Sequence, residues 1–385
     1  MAHDFSSVSL DWLRSKPGRK WQQRQLPYAA WIADMDYRPA PVIVEALQQR
    51  LDSGDLGYPN WGSTAGASPA IASFVGWMQR RHKWNIDASD VREWSDVLQA
   101  IQTILHVTTT PGDHVVVHTP AYPPFFDALK ATGTQLMPVD AVRDGESWCW
   151  DHDDLDARLA VTPAKVLLLC NPHNPTGRCF SERELRELLA IADRRNLVII
   201  ADEIHMDLVH APHRHIPLGT LASDRVVTLT SASKSFNLAG LHYAVSHIGS
   251  ASVAAALRAL PERLRGEPGM MGVIAAHAAW TRGEPWLDAV RAHLAMMRDL
   301  TTRLVNERLP GVNMVAPEAT YLAWLDCSAT PLGVDPFRAF ADVGVAVNAG
   351  IDFGRGGEGF VRLNFATSPE VLEHVLDTMA RAVTS

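Results

Sequence analysis

At 385 residues the chain is long enough for two or three domains of roughly 150 residues each. Apolar residues make up 47% and charged residues 20%, which excludes a disordered or fibrous chain, and a net charge of −8 without a lysine or arginine block argues against nucleic acid or an anionic membrane as partner. No apolar run reaches about 18 residues, no basic-then-apolar leader opens the chain, and four cysteines without CxxC spacing fit reduced thiols in a cytoplasmic protein.

Residues 1 to about 45 read as an arm with a short strand. Proline starts a helix near Pro41–Ser53. A helix over 68–83, a strand at Val91–Trp94 and a helix from Val97 follow. His114–His118 reads as a buried strand, ahead of Tyr122-Pro123-Pro124 and a helix through Lys130. The apolar run Val166–Cys170 enters Asn171-Pro172-His173-Asn174-Pro175-Thr176-Gly177. Ser181 and Glu184 have capping-box spacing, and Leu185, Leu188, Leu189 and Ala192 give one helical face. Leu197–Ile200 runs into Ala201-Asp202-Glu203-Ile204-His205, and Val226–Thr230 into Ser231-Ala232-Ser233-Lys234. This alternation predicts an α/β fold, a mostly parallel sheet with helices on both sides. Beyond it come a long helix over 284–308, β-rich segments near Thr320–Leu325, Val345–Asn348 and Gly359–Phe365, and a closing helix over 369–382.

Three successive strand ends thus deliver an amide, a carboxylate and an amine, and open α/β sheets bind ligands at the carboxyl ends of their strands. In that setting Ala33-Asp34-Met35-Asp36, Gly57-Tyr58, Thr119–Phe125, Asn171–Arg178, Asp202–His205 with Asp207-Leu208, Ser233–Leu241 and Gly359–Asn364 carry a resemblance. The chain resembles fold-type I pyridoxal 5′-phosphate (PLP) enzymes of the aminotransferase class I/II superfamily, and within it the MalY/PatB family of cystathionine β-lyases, also called C–S lyases. The resemblance implies a large PLP-binding domain over 46–278 with a mostly parallel seven-stranded sheet. It implies a smaller α+β domain from 1–45 and 279–385, and an activity of carbon–sulfur β-elimination on cystathionine or another S-substituted cysteine. An aminotransferase is the alternative, because both reactions begin with the same deprotonation at Cα.

The resemblance also assigns roles. Lys234 is the Schiff-base lysine and then the base at Cα. Asp202 pairs with the pyridine N–H and keeps the ring an electron sink. Asn174 donates to the phenolic oxygen, with His205 a second candidate there, while Asn171 is a turn residue. Tyr122 stacks on the ring. Ser231, Ser233 and the backbone N–H groups of Val97 and Leu98 face the phosphate. Arg362 grips the substrate α-carboxylate. Tyr58 reaches the phosphate of a neighbouring subunit, which makes the protein a homodimer. Three departures stand out: Asp96 where the family has glycine, His242 where the superfamily has arginine, and Phe365-Ala366-Thr367-Ser368 after Arg362. The histidines at 205, 210, 213 and 215 are interrupted by proline and arginine and lack a cysteine, so no metal site is expected.

Overall fold

The computed structural model describes residues 4–61, 68–222, 224–261, 264, 266–333 and 335–384. Its centre is an eight-stranded sheet. In chain order the strands are β1 (Val91–Trp94), β2 (His114–Thr119), β3 (Gln135–Asp144), β4 (Ser147–Trp150), β5 (Ala164–Cys170), β6 (Val198–Asp202), β7 (Val226–Thr230) and β8 (Ala244–Ile248). Their order in space is β1-β8-β7-β6-β5-β2-β3-β4. The five strands from β7 to β3 run parallel, and β8, β1 and β4 pair antiparallel at the two ends.

Both faces of this sheet are covered, which is why its strands are continuous apolar runs rather than alternating ones. Along β5, Leu168 packs toward the helix Val97–Thr108, while Leu167 and Leu169 pack with Leu185, Leu188 and Ile191 of the helix Glu182–Arg195. These leucines are at most 1% exposed, and each contributes about 2 kcal/mol by leaving water. The helix Glu182–Arg195 starts where its capping box places it, with Ser181 Oγ accepting from the Glu184 N–H and the Glu184 carboxylate accepting from the Ser181 N–H.

The expected sheet had seven strands. The eighth is β4, a short hairpin partner that zips onto the extended end of β3 with Asp144 opposite Ser147. It survives at the sheet edge because Trp148 and Trp150 turn inward, Trp150 stacking on Phe180 at 5.0 Å.

A second, four-stranded antiparallel sheet joins Asn313–Met314, Leu322–Asp326, Phe360–Asn364 and Asn348–Ala349 in that spatial order. The arm joins this region through Tyr28–Ala29, which pairs parallel with Val345–Ala346. The long helix Glu284–Arg308 and the closing helix Pro369–Thr384 pack beside it. Among the described residues, no helix is long and apolar enough to cross a membrane.

Candidate active site

Four adjacent parallel strands each deliver one functional group. Tyr122 follows β2 and caps the helix Pro123–Thr132. Asn174 lies in the loop after β5, Asp202 is the last residue of β6, and Lys234 sits in the short helix Ala232–Ser235 after β7. Since β2, β5, β6 and β7 are neighbours, groups spread over more than a hundred residues of sequence meet in one cavity of about 350 Å³. Ser231, Ser233, Val97, Leu98 and His205 also line it.

The Lys234 amine donates to the Ala33 carbonyl at 2.9 Å. Burial lowers its pKa, and the Arg362 charge works in the same direction, while Asp34 and Asp202 oppose it. Asp202 is 4% exposed, and burial pushes its carboxyl up to about 7 despite the N–H of Ile204 at 3.1 Å. A buried acid left in that state favours a cationic partner. His205 is held down to about 3 by burial, so it stays neutral, and its buried Nδ1 has no hydrogen-bond partner. Burial raises the Tyr122 phenol, which remains protonated.

Arg362 comes from the middle of the strand Phe360–Asn364 and is 4% exposed. It donates to Asn174 Oδ1 at 2.9 Å, to the Trp31 carbonyl at 3.1 Å and to Asn348 Oδ1 at 2.8 Å. An arginine only donates, so Asn174 must turn its oxygen toward Arg362 and present its NH₂ elsewhere. Burial brings Arg362 down to about 10, and it stays cationic. Its Nε is buried without a partner, a donor still available to an incoming anion.

At the other end of the cavity Asp96 caps the helix Val97–Thr108, its Oδ1 accepting from the Gln99 N–H at 2.8 Å. That leaves the N–H groups of Val97 and Leu98 without helical partners, pointing out of the helix start. His242 lies 3.5 Å from the Asp96 carboxylate, at a partly open rim. Ser231 is more constrained than its assigned role implies: its hydroxyl donates to the Tyr243 carbonyl and accepts from the Ser233 N–H. Tyr58 is fully exposed and is not brought to this cavity within the chain. The four loop histidines scatter: His210 bonds the Thr320 carbonyl, His215 bonds Glu203, and His213 lies beside Glu318. No group of three or more potential metal ligands occurs among the described residues.

Several residues that position this cavity have no role assigned from the sequence, although Asn237 and Asn364 lie within segments that carry the family resemblance. Tyr321 also donates to the Ala33 carbonyl, at 2.8 Å, so one backbone oxygen receives both the lysine and a phenol. Asn237 bonds the arm three times, to Met35 N, Met35 O and Tyr37 O, and Asn364 donates to the carbonyls of Ile32 and Asp34. These two asparagines hold residues 32–37 against the lysine. Thr320 adopts φ 74°, a costly region for a β-branched residue, fixed by its N–H on the Leu208 carbonyl and by His210 on its own carbonyl.

The loop carrying Asn174 closes through Gly177, whose φ is +71° and whose carbonyl accepts from the Ala319 N–H at 2.9 Å. A Cβ there would stand 2.3 Å from Pro317 Cβ. Gly177→Ala is therefore expected to cost about 3 kcal/mol in denaturant titration, combining the left-handed backbone with the clash.

The model for aminotransferase class I and II matches residues 32–379. The chain is 33% identical to cystathionine beta-lyase PatB of Bacillus subtilis, with 92% of each chain covered. It is 35% identical to protein MalY of Escherichia coli, covering 93% of this chain and 91% of MalY. A PLP-bound C–S lyase from Staphylococcus hominis superposes with a TM-score of 0.92 at 26% identity, over 100% of this chain and 99% of that one.

Proposed function

The chain belongs to the aminotransferase class I and II family, and from that premise we propose that it is a PLP-dependent carbon–sulfur β-lyase. Its substrate is cystathionine or another S-substituted L-cysteine, and its products are a thiol, pyruvate and ammonia. The observation that carries this reading is the meeting of the Lys234 amine, the Asp202 carboxylate and the Asn174 amide at adjacent strand ends in one cavity.

The residues fit the cofactor. The unneutralised buried acid at 202 suits a ring N–H, the outward NH₂ of Asn174 suits a phenolate oxygen, and His205 Nδ1 offers a further polar atom nearby. The N–H groups of Val97 and Leu98, with the Ser233 hydroxyl, suit a phosphate. When bound, PLP supplies an aldehyde for the substrate amine and a protonated ring that withdraws electrons from Cα.

The chain's own groups do the rest. Arg362 holds the substrate carboxylate and so fixes which Cα bond faces the lysine. Lys234, with its pKa lowered by burial, takes the Cα proton and then protonates the departing sulfur. Tyr122, on the cavity wall, would lie over the bound ring and keep water from it. In this reading residues 46–278 carry the cofactor, while 1–45 and 279–385 form the smaller unit that bears Arg362. The reading includes a homodimer in which Tyr58, wholly exposed in the single chain, reaches the partner's phosphate. The four free cysteines support a reducing, cytoplasmic setting.

Incubation with cystathionine and a panel of S-alkylcysteines is expected to release thiol and pyruvate in equal amounts. Absence of both, with the cofactor instead converted to its amine form and restored by a keto acid, would establish an aminotransferase.

A further inference from the structure

A second chamber of about 160 Å³ opens beside the first, and Arg19 and Ala239 belong to both walls. The arm supplies its charges. Lys20 pairs with Asp36 at 3.0 Å and donates to the Asp34 carbonyl, and the Trp21 indole also donates to Asp36. That pair is neutral and buried. Lys16 and Arg19 have no ion pair among the described residues, and Asp34 is the one other carboxylate on the wall. Three cations thus face two carboxylates, and the chamber carries one unbalanced positive charge. Burial lowers the pKa of Lys16 while the charges of Asp36 and Asp34 oppose it, and its ammonium lies 4.8 Å from the Trp12 ring centroid.

Arg19 is exposed, and two contacts orient it. Its Nε donates to Gln23, and its guanidinium carbon lies 5.9 Å from the Trp31 ring centroid. Trp31 is 6% exposed, its indole donates to the Lys20 carbonyl, and its own carbonyl accepts from Arg362. Trp31 thus contacts three guanidiniums: Arg24 stacks on the ring at 4.0 Å, Arg19 lies farther out on the cavity wall, and the buried Arg362 holds the backbone carbonyl. Arg19 lines the same cavity as Lys234 and Asn174, so a substrate held there has this guanidinium on the cavity wall.

Resting on the β-lyase reading, we propose that Arg19 is a specificity-determining residue that reads a carboxylate on the leaving thiol. The preferred substrates are then S-substituted cysteines whose departing half is anionic. The planar fork of Arg19 suits a carboxylate bidentately, whereas a neutral alkyl chain leaves the unbalanced charge of the chamber without a partner. The contact lies away from the reacting bonds, so it acts on binding and appears in KM rather than kcat.

The test compares the wild-type holoenzyme with Arg19→Gln and Arg19→Lys on S-(2-carboxyethyl)-L-cysteine and S-propyl-L-cysteine. The wild type is expected to prefer the carboxyethyl compound in kcat/KM, and Arg19→Gln to shrink that preference about tenfold through KM, with partial rescue by lysine. Calorimetry with 3,3′-thiodipropionate and 3-(propylthio)propanoate, which lack the amine and do not react, should show the same loss of preference in Kd. Equal changes for the charged and neutral probes, or no wild-type preference, overturn the assignment of Arg19. If no substrate releases thiol, the β-lyase reading falls, and the calorimetry still decides whether Arg19 binds a carboxylate.

Discussion

Lys234→Ala is expected to lower thiol release by at least about 10⁴-fold, because in the β-lyase reading it removes both the base that takes the Cα proton and the acid that serves the sulfur. It also removes the one lysine on the cavity wall among the described residues, so in the same reading the cofactor loses its covalent hold. Borohydride reduction followed by peptide mapping should tag Lys234 in the wild-type protein and nothing in the variant. The fold should survive the change. Lys234 donates to the Ala33 carbonyl, and that oxygen keeps its second donor, the Tyr321 hydroxyl, so no buried acceptor is orphaned. Lys234→Arg restores the cation without the nucleophile and should be as inactive as the alanine variant. A pyridoxyl tag on any other residue of the wild-type protein would remove Lys234 from its role.

How much of this was legible in the sequence depends on how local the cause is. The strands β5, β6 and β7 declare themselves because a strand buried on both faces needs only apolar residues, and the groups they deliver sit at their ends by continuity of the chain. The start of the helix Glu182–Arg195 is a four-residue pattern and is found where the pattern is. The β3–β4 hairpin is less visible, since much of β3 is solvent-exposed and its alternation is broken by Pro138. The positioning residues are the least visible. Asn237 acts on carbonyls about two hundred residues earlier in the chain, and Asn364 on ones more than three hundred earlier, so no periodicity records them. Asn237 leaves one trace, a left-handed φ of 60° of the kind asparagine tolerates. Asp96, a departure from the family's glycine, turns out to be a helix cap with a histidine beside it, an arrangement that requires knowing that residues 96 and 242 meet.

Asp202→Asn separates function from stability in opposite directions. The amide cannot supply the negative charge that keeps a pyridine nitrogen protonated, so the electron demand at Cα falls, and turnover is expected to drop on the order of 10²–10³-fold with little change in KM. Without cofactor the same substitution should stabilise the protein. The Asp202 carboxyl rises from 3.8 to about 7 because burial disfavours its charge. The folded state therefore binds the extra proton between those values, and stability falls as pH rises through that window. Asparagine never ionises, so it escapes this penalty while its oxygen can still accept from the Ile204 N–H. The variant apoprotein should be more stable than the wild-type apoprotein by a few kcal/mol at most at pH 8, with the gap closing toward pH 4, as read by paired denaturant titrations. Adding PLP should reverse the order at pH 8, since only the wild-type carboxylate gains an ionic partner. An apoprotein made less stable by the amide at pH 8 would mean that the carboxylate already has a counter-charge in the fold, and that its place beside the ring nitrogen is wrong.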